Sequence, residues 1–386
     1  MLAVLAPGQG AQKPGFLAPW LDLSGTEARL RWWSALTGLD LVHLGTEAGA
    51  DEIKDTARTQ PLLVAAALLA AEHLPMYDAG LVAGHSVGEL GAVTLAGVLT
   101  PEAAVTLAAV RGREMAAACA LEPTGMAAVV GGEPDEVVAA IEGAGLYPAN
   151  RNGAGQIVAA GAQDALEKFA AAPPVKVRVI QLKVAGAFHT PYMAPAERAL
   201  SGVAGGVSPG DPTKILLSNL DGTAVTTGRE VVLRLVRQVT ASVRWDLCMQ
   251  TMAQIGVTAI IELPPAGTLA GLAKRSLPGV EILSVNTPDD LAAARDLVAR
   301  HGVTPSAEPT PQFRVVVAAA AGNFQPADDL AEGDEVRAGQ RLGQVSTRQG
   351  PVEVTAHGSG VLTEWLAHHD DPVAPGQPLA RIGGHL

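Results

Sequence analysis

A serine stands between two glycines in the segment Gly84-His85-Ser86-Val87-Gly88. The segment follows a short apolar run at 81–83 and precedes a predicted helix at 89–99, which is the context of a G-x-S-x-G nucleophile elbow. The glycines permit a strained turn and a close approach of strand and helix. The pattern predicts a nucleophilic hydroxyl at the positive end of a helix, where a developing oxyanion is favoured. The alternative is a glycine-rich turn with a solvated serine.

A serine nucleophile requires a general base, and the chain has nine histidines. His85 adjoins Ser86, but in an elbow its side chain should point away from the hydroxyl. His189 lies in a loop that follows a predicted strand at 175–184, and such loops are the usual source of the base. The residues alone leave open that His189 is an ordinary surface histidine.

Composition excludes several classes of protein. The chain has 386 residues, of which 48% are hydrophobic and 17% charged, so global disorder is excluded and two or three domains are expected. A net charge of −12 argues against a general nucleic-acid binder. The apolar run at 62–71 is far shorter than the ~20 residues of a membrane span, so no membrane association and a cytoplasmic location are expected. The spacing of Cys119 and Cys248 predicts no metal site and no disulfide framework.

Short apolar strands alternate with Ala- and Leu-rich helical stretches as far as about residue 300, for example a strand at 2–6 and a helix at 61–74. Such alternation predicts an α/β fold with a mostly parallel sheet and helices on both faces. The stretch 126–184 differs, because its two strand–helix units suit a small ferredoxin-like insert.

The last part of the chain has another organisation. Three prolines within 301–312 predict a linker, and short β segments with glycine turns follow it. Val315-x-Val317-x-Ala319 recurs as Val352-x-Val354-x-Ala356, 37 residues later. A second motif, at 334–342, recurs at 371–379 with the same offset. The shared offset predicts two similar β units that pack as a pseudo-twofold sandwich.

Residues 1 to about 300 resemble the malonyl-CoA:acyl-carrier-protein transacylases of type II fatty-acid synthesis. The resemblance rests on several segments in the same order. They are Pro7-Gly8-Gln9-Gly10-Ala11-Gln12, Thr59-Gln60-Pro61, Gly84–Glu89, Val110-Arg111-Gly112, Asn150-Arg151-Asn152 with Gly155-Gln156, Phe188-His189-Thr190-Pro191-Tyr192-Met193, and Ser242-Val243-Arg244-Trp245.

The resemblance implies a catalytic dyad. Ser86 would attack the malonyl thioester and carry the acyl group as an ester, and His189 would accept the serine proton. The backbone carbonyl of Gln238 would orient His189 in place of a carboxylate, and the backbone N–H groups of Gln9 and Val87 would form the oxyanion hole.

The resemblance also implies a pocket for the acyl group. Arg111 would grip the free malonyl carboxylate with its planar guanidinium, which an acetyl group would leave unpaired. Gln60 would line the same pocket, with Asn152 as its polar neighbour. Phe188 would crowd an α-methyl group, which favours malonyl over methylmalonyl.

The expected domains follow from the same resemblance. An α/β-hydrolase-like catalytic subdomain would comprise 1–124 and 188–300, with a ferredoxin-like subdomain at 125–187 and the linker at 301–312. Residues 313–386 resemble an all-β biotinyl/lipoyl-type sandwich, in which Gln349 occupies the position of the carrier lysine. Because no lysine follows Arg275, this domain could not carry amide-linked biotin or lipoate, and no cofactor is expected.

The implied function is ping-pong transfer of malonyl from malonyl-CoA to the phosphopantetheine thiol of an acyl carrier protein. The alternatives are an acyltransferase of another specificity in polyketide synthesis, a serine hydrolase of acyl thioesters, and a scaffold that binds a carrier protein without catalysis. The sequence leaves the oligomeric state open, and a monomer is favoured.

Overall fold

The computed structural model of the chain describes residues 1–302, 313–356 and 358–383. The chain forms two compact units, Met1–Thr304 and Pro305–Leu386. From position 303 onward, the linker predicted at 301–312 lies outside the described residues. His301 itself is the last residue of a helix of the first unit.

The first unit contains twelve α-helices and nine strands within its described residues. The helices are α1 (Thr26–Thr37), α2 (Leu41–Thr46), α3 (Thr56–Ala71), α4 (Gly88–Leu95), α5 (Pro101–Cys119), α6 (Pro134–Gly143), α7 (Gln163–Ala171), α8 (Ala194–Ala204), α9 (Gly228–Arg237), α10 (Trp245–Gln254), α11 (Thr268–Ser276) and α12 (Leu291–His301). The strands are β1 (Leu2–Ala6), β2 (Leu81–Gly84), β3 (Thr124–Val130), β4 (Tyr147–Gly153), β5 (Gln156–Ala162), β6 (Arg178–Gln181), β7 (Ile215–Leu216), β8 (Ala259–Glu262) and β9 (Glu281–Ser284).

A five-stranded parallel sheet, in the order β7-β2-β1-β8-β9, forms the centre of this unit. Alternate residues of β1 belong to two different hydrophobic clusters, with Val4 in one and Leu5 in the other. The sheet is therefore covered on both faces, which explains why β1 is apolar at every position. The mixed α/β fold with a parallel sheet agrees with the alternation seen in the sequence.

Helix α3 begins five residues before the helix predicted at 61–74. The Asp55 side chain accepts a hydrogen bond from the N–H of Ala57, so it caps the helix, and Pro61 lies inside the helix rather than at its start. Fourteen of the sixteen residues of α3 are buried, so packing outweighs the local effect of the proline. Although α3 is apolar, none of the helices in the described ranges is long and apolar enough to cross a membrane.

A second sheet, of four antiparallel strands, is inserted between α5 and α8. Its chain order is β3-α6-β4-β5-α7-β6 and its spatial order is β4-β5-β3-β6. The sequence pattern did not reveal β4, whose central residues Asn150, Arg151 and Asn152 have low strand propensity. Pairing with β5 holds these residues extended, and the strand predicted at 175–184 shortens to β6.

In its described residues, the second unit forms eight strands, arranged in two antiparallel sheets that share one hydrophobic cluster. The strands are β10 (Phe313–Val317), β11 (Gly322–Pro326), β12 (Glu335–Val336), β13 (Arg341–Thr347), β14 (Gly350–Thr355), β15 (Gly360–Trp365), β16 (Pro372–Val373) and β17 (Pro378–Gly383). One sheet has the order β10-β17-β15-β12 and the other β14-β13-β11-β16. Each strand of the first sheet has its equivalent in the second, 37 or 38 residues away, as the sequence repeat requires.

We expect residues 1–302 to fold cooperatively without the second unit, because the described residues of the first unit form hydrophobic clusters of their own. The measurement is thermal unfolding of the truncated and full-length chains by circular dichroism. In the full chain, Leu342→Ala should reduce the free energy of unfolding of the second unit by about 2–5 kcal/mol, because Leu342 is fully buried there. Only the unfolding transition that is missing from the truncated chain should therefore move to a lower temperature. A truncated chain that remains unfolded would contradict this expectation.

Candidate active site

Ser86 lies at a sharp turn between β2 and α4, with a backbone φ of 53°. The turn brings backbone segments so close together that side chains are excluded on both sides. A Cβ atom on Gly84 would lie 2.1 Å from the Gly88 backbone, and one on Gly88 would lie 2.2 Å from the Ala6 carbonyl oxygen. Both glycines of the motif are therefore required by the geometry of the elbow.

His189 approaches Ser86 from the loop between β6 and α8. Its Nε2 lies 2.7 Å from the Ser86 Oγ, and its Nδ1 lies 2.8 Å from the carbonyl oxygen of Gln238. Since the carbonyl can only accept, Nδ1 carries the proton and donates it, and Nε2 is left free to accept the serine hydroxyl. Like Ser86, His189 has a positive φ, of 59°.

His189 is held in its neutral form. Burial, together with the positive charge of Arg111, lowers the pKa of His189 to about 3. The imidazole is thus available as a proton acceptor throughout the neutral range. The lowered pKa also means that the unfolded chain binds more protons than the folded one between about pH 3 and 6.5, so the folded state loses stability as the pH falls through this window.

Arg111 extends from α5 toward the same hydroxyl and is only 3% exposed. One terminal nitrogen, Nη2, donates to the Ser86 Oγ at 3.2 Å and to the Gln238 Oε1 at 2.9 Å, and Nη1 donates to the Gln60 Oε1 at 2.6 Å. Burial lowers the pKa of Arg111 to about 10, which still leaves the guanidinium charged at neutral pH. A buried cation therefore lies beside the nucleophile with neutral hydrogen-bond partners.

Two functional residues were missed by the sequence reasoning, Asn219 and Glu89. The Asn219 Oδ1 accepts the Ser86 N–H at 2.7 Å, and its Nδ2 donates to the Gly84 carbonyl at 2.7 Å. The Asn219 N–H donates to the Glu89 carboxylate at 2.6 Å. The only sequence signal was an acidic residue among apolar ones in the first turn of α4, while nothing near Asn219 in the chain points to the site.

Ser86 lines a cleft of about 420 Å³. Gln9 and Val87 line the cleft, and no protein acceptor among the described residues takes either of their backbone N–H groups. Two residues with unpaired backbone N–H groups thus line the same cleft as the nucleophile. The described residues contain no group of three or more His, Cys, Asp or Glu side chains that could hold a metal ion.

The remaining predicted residues occupy two places. Gln60 and Phe188 line the cleft and are almost fully buried. Asn152 does not line it; instead its Oδ1 lies 2.9 Å from the Nε2 of His85, and its Nδ2 donates to Gln156. The His85 ring thus points toward Asn152, and burial lowers its pKa.

Comparisons with known proteins identify the family of the chain. A family model described as "Acyl transferase domain" matches residues 5–287. The chain is 54% identical to the malonyl CoA-acyl carrier protein transacylase of Mycobacterium bovis over 296 residues, which cover 75% of this chain and 98% of the relative. It is 32% identical to the enzyme of the same name from Escherichia coli K12 over 311 residues, with 76% and 99% covered.

Solved structures lead to the same family. The crystal structure of MCAT from Mycobacterium tuberculosis superimposes with a TM-score of 0.74 at 52% identity, covering 76% of this chain and 99% of that one. A type II PKS acyl-carrier protein in complex with its malonyl-transacylase matches with a TM-score of 0.73 at 29% identity, covering 77% and 99%. The chain belongs to the acyl transferase family, among the malonyl CoA-acyl carrier protein transacylases.

Proposed function

We propose that this chain transfers malonyl from malonyl-CoA to the phosphopantetheine thiol of an acyl carrier protein, through a malonyl ester on Ser86. The roles of these residues are inferred from one observation: the imidazole of His189 and the guanidinium of Arg111 both contact the hydroxyl oxygen of Ser86. His189 Nε2 lies 2.7 Å from the Ser86 Oγ, and Arg111 Nη2 lies 3.2 Å from the same atom. A proton acceptor and a fixed cation at one hydroxyl suit a nucleophile that receives a negatively charged acyl group.

The acylation step follows from the hydrogen bonds of the dyad. The Ser86 hydroxyl transfers its proton to His189 Nε2 as its oxygen attacks the thioester carbon, and the Gln238 carbonyl steadies the imidazolium through Nδ1–H. The C–S bond then breaks, and the imidazolium returns the proton to the departing sulfur. The carrier thiol reverses these steps in the second half of the cycle.

The free N–H groups of Gln9 and Val87 are the proposed oxyanion hole. Both residues line the cleft, and α4 begins at Gly88, the residue after Val87, so its positive end adds to the field of these donors. In related chemistry the loss of one such donor costs about 2.7–4 kcal/mol of transition-state stabilisation.

Arg111 is the proposed anchor of the malonyl carboxylate, because an acyl group on Ser86 Oγ would lie directly beside its guanidinium. A carboxylate can accept two parallel hydrogen bonds from this group, which neutral glutamine side chains cannot match in strength. Phe188 narrows the cleft next to His189 and is the proposed barrier to an α-methyl substituent. Asn152 is proposed to orient His85 rather than to contact the acyl group.

The carrier protein would approach the mouth of the cleft, where exposed cations lie. Lys54 and Lys183 line the cleft and are exposed. Lys54 is paired with Asp51 at 3.1 Å, whereas Lys183 has no acidic partner among the described residues. A free ammonium at this position suits the phosphate that precedes the pantetheine arm. The monomeric state and the cytoplasmic location stay predictions.

The domain boundaries are also proposals. We assign an α/β-hydrolase-like subdomain to 1–124 and 188–300, and a ferredoxin-like subdomain to 125–187, which the chain order β3-α6-β4-β5-α7-β6 supports. We assign a biotinyl/lipoyl-like sandwich to 313–386, and the linker predicted at 301–312 to the positions after His301, where α12 ends. Gln349 lies exposed in the turn between β13 and β14, so a lysine-linked group has no attachment point there.

The mass of the intact protein tests the covalent intermediate. Incubation with malonyl-CoA should add one malonyl group to the wild type, and acyl carrier protein should remove it. Ser86→Ala should add none, since it lacks the attacking oxygen. The exposed Ser201→Ala is the matched control and should acylate normally. Loss of the malonyl group in buffer as fast as with carrier would favour the thioester hydrolase.

Arg111→Ala should reduce the preference for malonyl-CoA over acetyl-CoA more than it reduces total acyl uptake. We expect the ratio of the two kcat/KM values to fall by about 10- to 150-fold, which corresponds to the ~1.5–3 kcal/mol of hydrogen bonds to a charged group. Arg113→Ala, two residues along α5 and exposed, should leave the ratio unchanged. A variant at 111 that keeps the wild-type preference would refute the anchor.

Because His189 is neutral, we expect the rate of acylation to stay nearly constant as the pH is lowered below 7. A histidine with an ordinary pKa of about 6.5 would be neutral in only about one tenth of molecules at pH 5.5. With a pKa near 3, His189 stays neutral, so the acylation rate should change less than about twofold between pH 5.5 and 7.5. Stopped-flow or quench measurements would test this, with circular dichroism at each pH to verify folding. A tenfold decline would show that the base titrates normally.

A further inference from the structure

The counter-charge of Arg111 is absent from its immediate surroundings. Its three hydrogen-bond partners, on Gln60, Gln238 and Ser86, are neutral, and no carboxylate among the described residues forms an ion pair with it. A buried guanidinium without an anion is costly, so a compensating charge is expected close by.

The Gln238 side-chain amide connects Arg111 to a buried carboxylate. Its Oε1 accepts from Arg111 Nη2 at 2.9 Å, and its Nε2 donates to the Oε2 of Glu89. Glu89 is 4% exposed, and its other oxygen accepts the Asn219 N–H. The amide dipole is thus aligned between a cation and an anion, with each end facing the charge that it stabilises.

We propose that ionised Glu89 is the counter-charge of Arg111 in the acyl-free site, acting through the Gln238 amide, and that it takes up a solvent proton when a malonyl carboxylate becomes the counter-charge instead. Glu89 is therefore a positioning residue that sets the selection of acyl groups bearing a carboxylate. This inference rests on the proposed function of Arg111.

The charge balance gives the direction of the effect. In the acyl-free sites whose Glu89 is ionised, one cation faces one anion across Gln238. A malonyl group on Ser86 adds a second anion beside Arg111, which weakens the attraction between Arg111 and Glu89 and favours protonation of the carboxylate. An acetyl group adds no charge and leaves Glu89 as it was.

The charged and titratable groups that face Glu89 allow its carboxylate to be protonated at neutral to mildly alkaline pH. They are Arg111 from α5, Arg234 from α9 and Cys248 from α10. Arg234 is already paired with Asp221 and Glu230, and burial raises the pKa of the Cys248 thiol, so neither responds to the acyl group. Burial raises the pKa of Glu89 to about 8, which places its titration close to working conditions.

Proton uptake on acylation tests the proposal with the wild-type chain. The acyl transfer itself moves the Ser86 proton through His189 to the CoA sulfur, so it exchanges no proton with solvent beyond the partial ionisation of free CoA. Acetyl-CoA shares that ionisation and is the comparator. A pH indicator in weak buffer would give the protons consumed per acyl-enzyme, with the acyl-enzyme counted by mass.

We expect malonyl to consume about half a proton more than acetyl at pH 8, where half of the Glu89 carboxyls are ionised in the acyl-free enzyme. The difference should approach one at pH 9 and fall below about one tenth at pH 6.5. Equal proton counts for malonyl and acetyl at pH 8 and 9, with normal acylation of Ser86, would overturn the role of Glu89 alone. No acylation of Ser86 at all would overturn the proposed function instead.

Variants supply a second test. The wild-type preference for malonyl over acetyl should fall about tenfold between pH 7 and 9, because the ionised Glu89 competes for Arg111. Glu89→Gln should make the preference independent of pH, and Glu89→Asp should restore the dependence. Glu197→Gln, whose side chain bonds Thr240 outside this chain of contacts, is the matched control. A pH dependence that persists in a folded Glu89→Gln variant would contradict the proposal.

Discussion

The left-handed backbone at Ser86 is held in place by contacts from distant parts of the chain. A non-glycine residue at such a φ costs about 1–3 kcal/mol, so the surroundings must compensate. Asn219 does this on both sides, since it accepts the Ser86 N–H and donates to the Gly84 carbonyl. Gly88 lets α4 begin against the Ala6 carbonyl. The direction of the hydroxyl, and with it every other contact of the site, depends on this clamp.

The protonation states of the two groups that contact the Ser86 hydroxyl are set by burial and charge. His189 and Arg111 are both buried, but burial acts on them differently. The imidazole gives up its proton, while the guanidinium, whose ordinary pKa is about six units higher, keeps its charge. Gln238 serves both residues, with its backbone carbonyl on His189 and its side-chain oxygen on Arg111. One residue thus couples the base to the cation.

The second unit is an addition to the length that the relatives share. Those relatives align over 98–99% of their own length but only about three quarters of this chain. The unit has its own hydrophobic cluster around Phe324, and its two sheets repeat one strand order. Such internal repetition lets a short β segment bury its apolar face against its own equivalent.

Features that depend on local chemistry could be predicted from the amino-acid sequence. The glycines around Ser86, the continuous apolar run of β1 and the repeat of the second unit each express a requirement of nearby backbone. The hydrogen bond between Asn219 and Ser86, which are 133 positions apart, and the burial of Glu89 arise only when the chain is packed. Packing also turned Asn152 toward His85 and started α3 before Pro61. These outcomes depend on which surfaces pack together, and burial, charge state and hydrogen-bond partners are properties of that packing, which neighbouring residues in the chain do not encode.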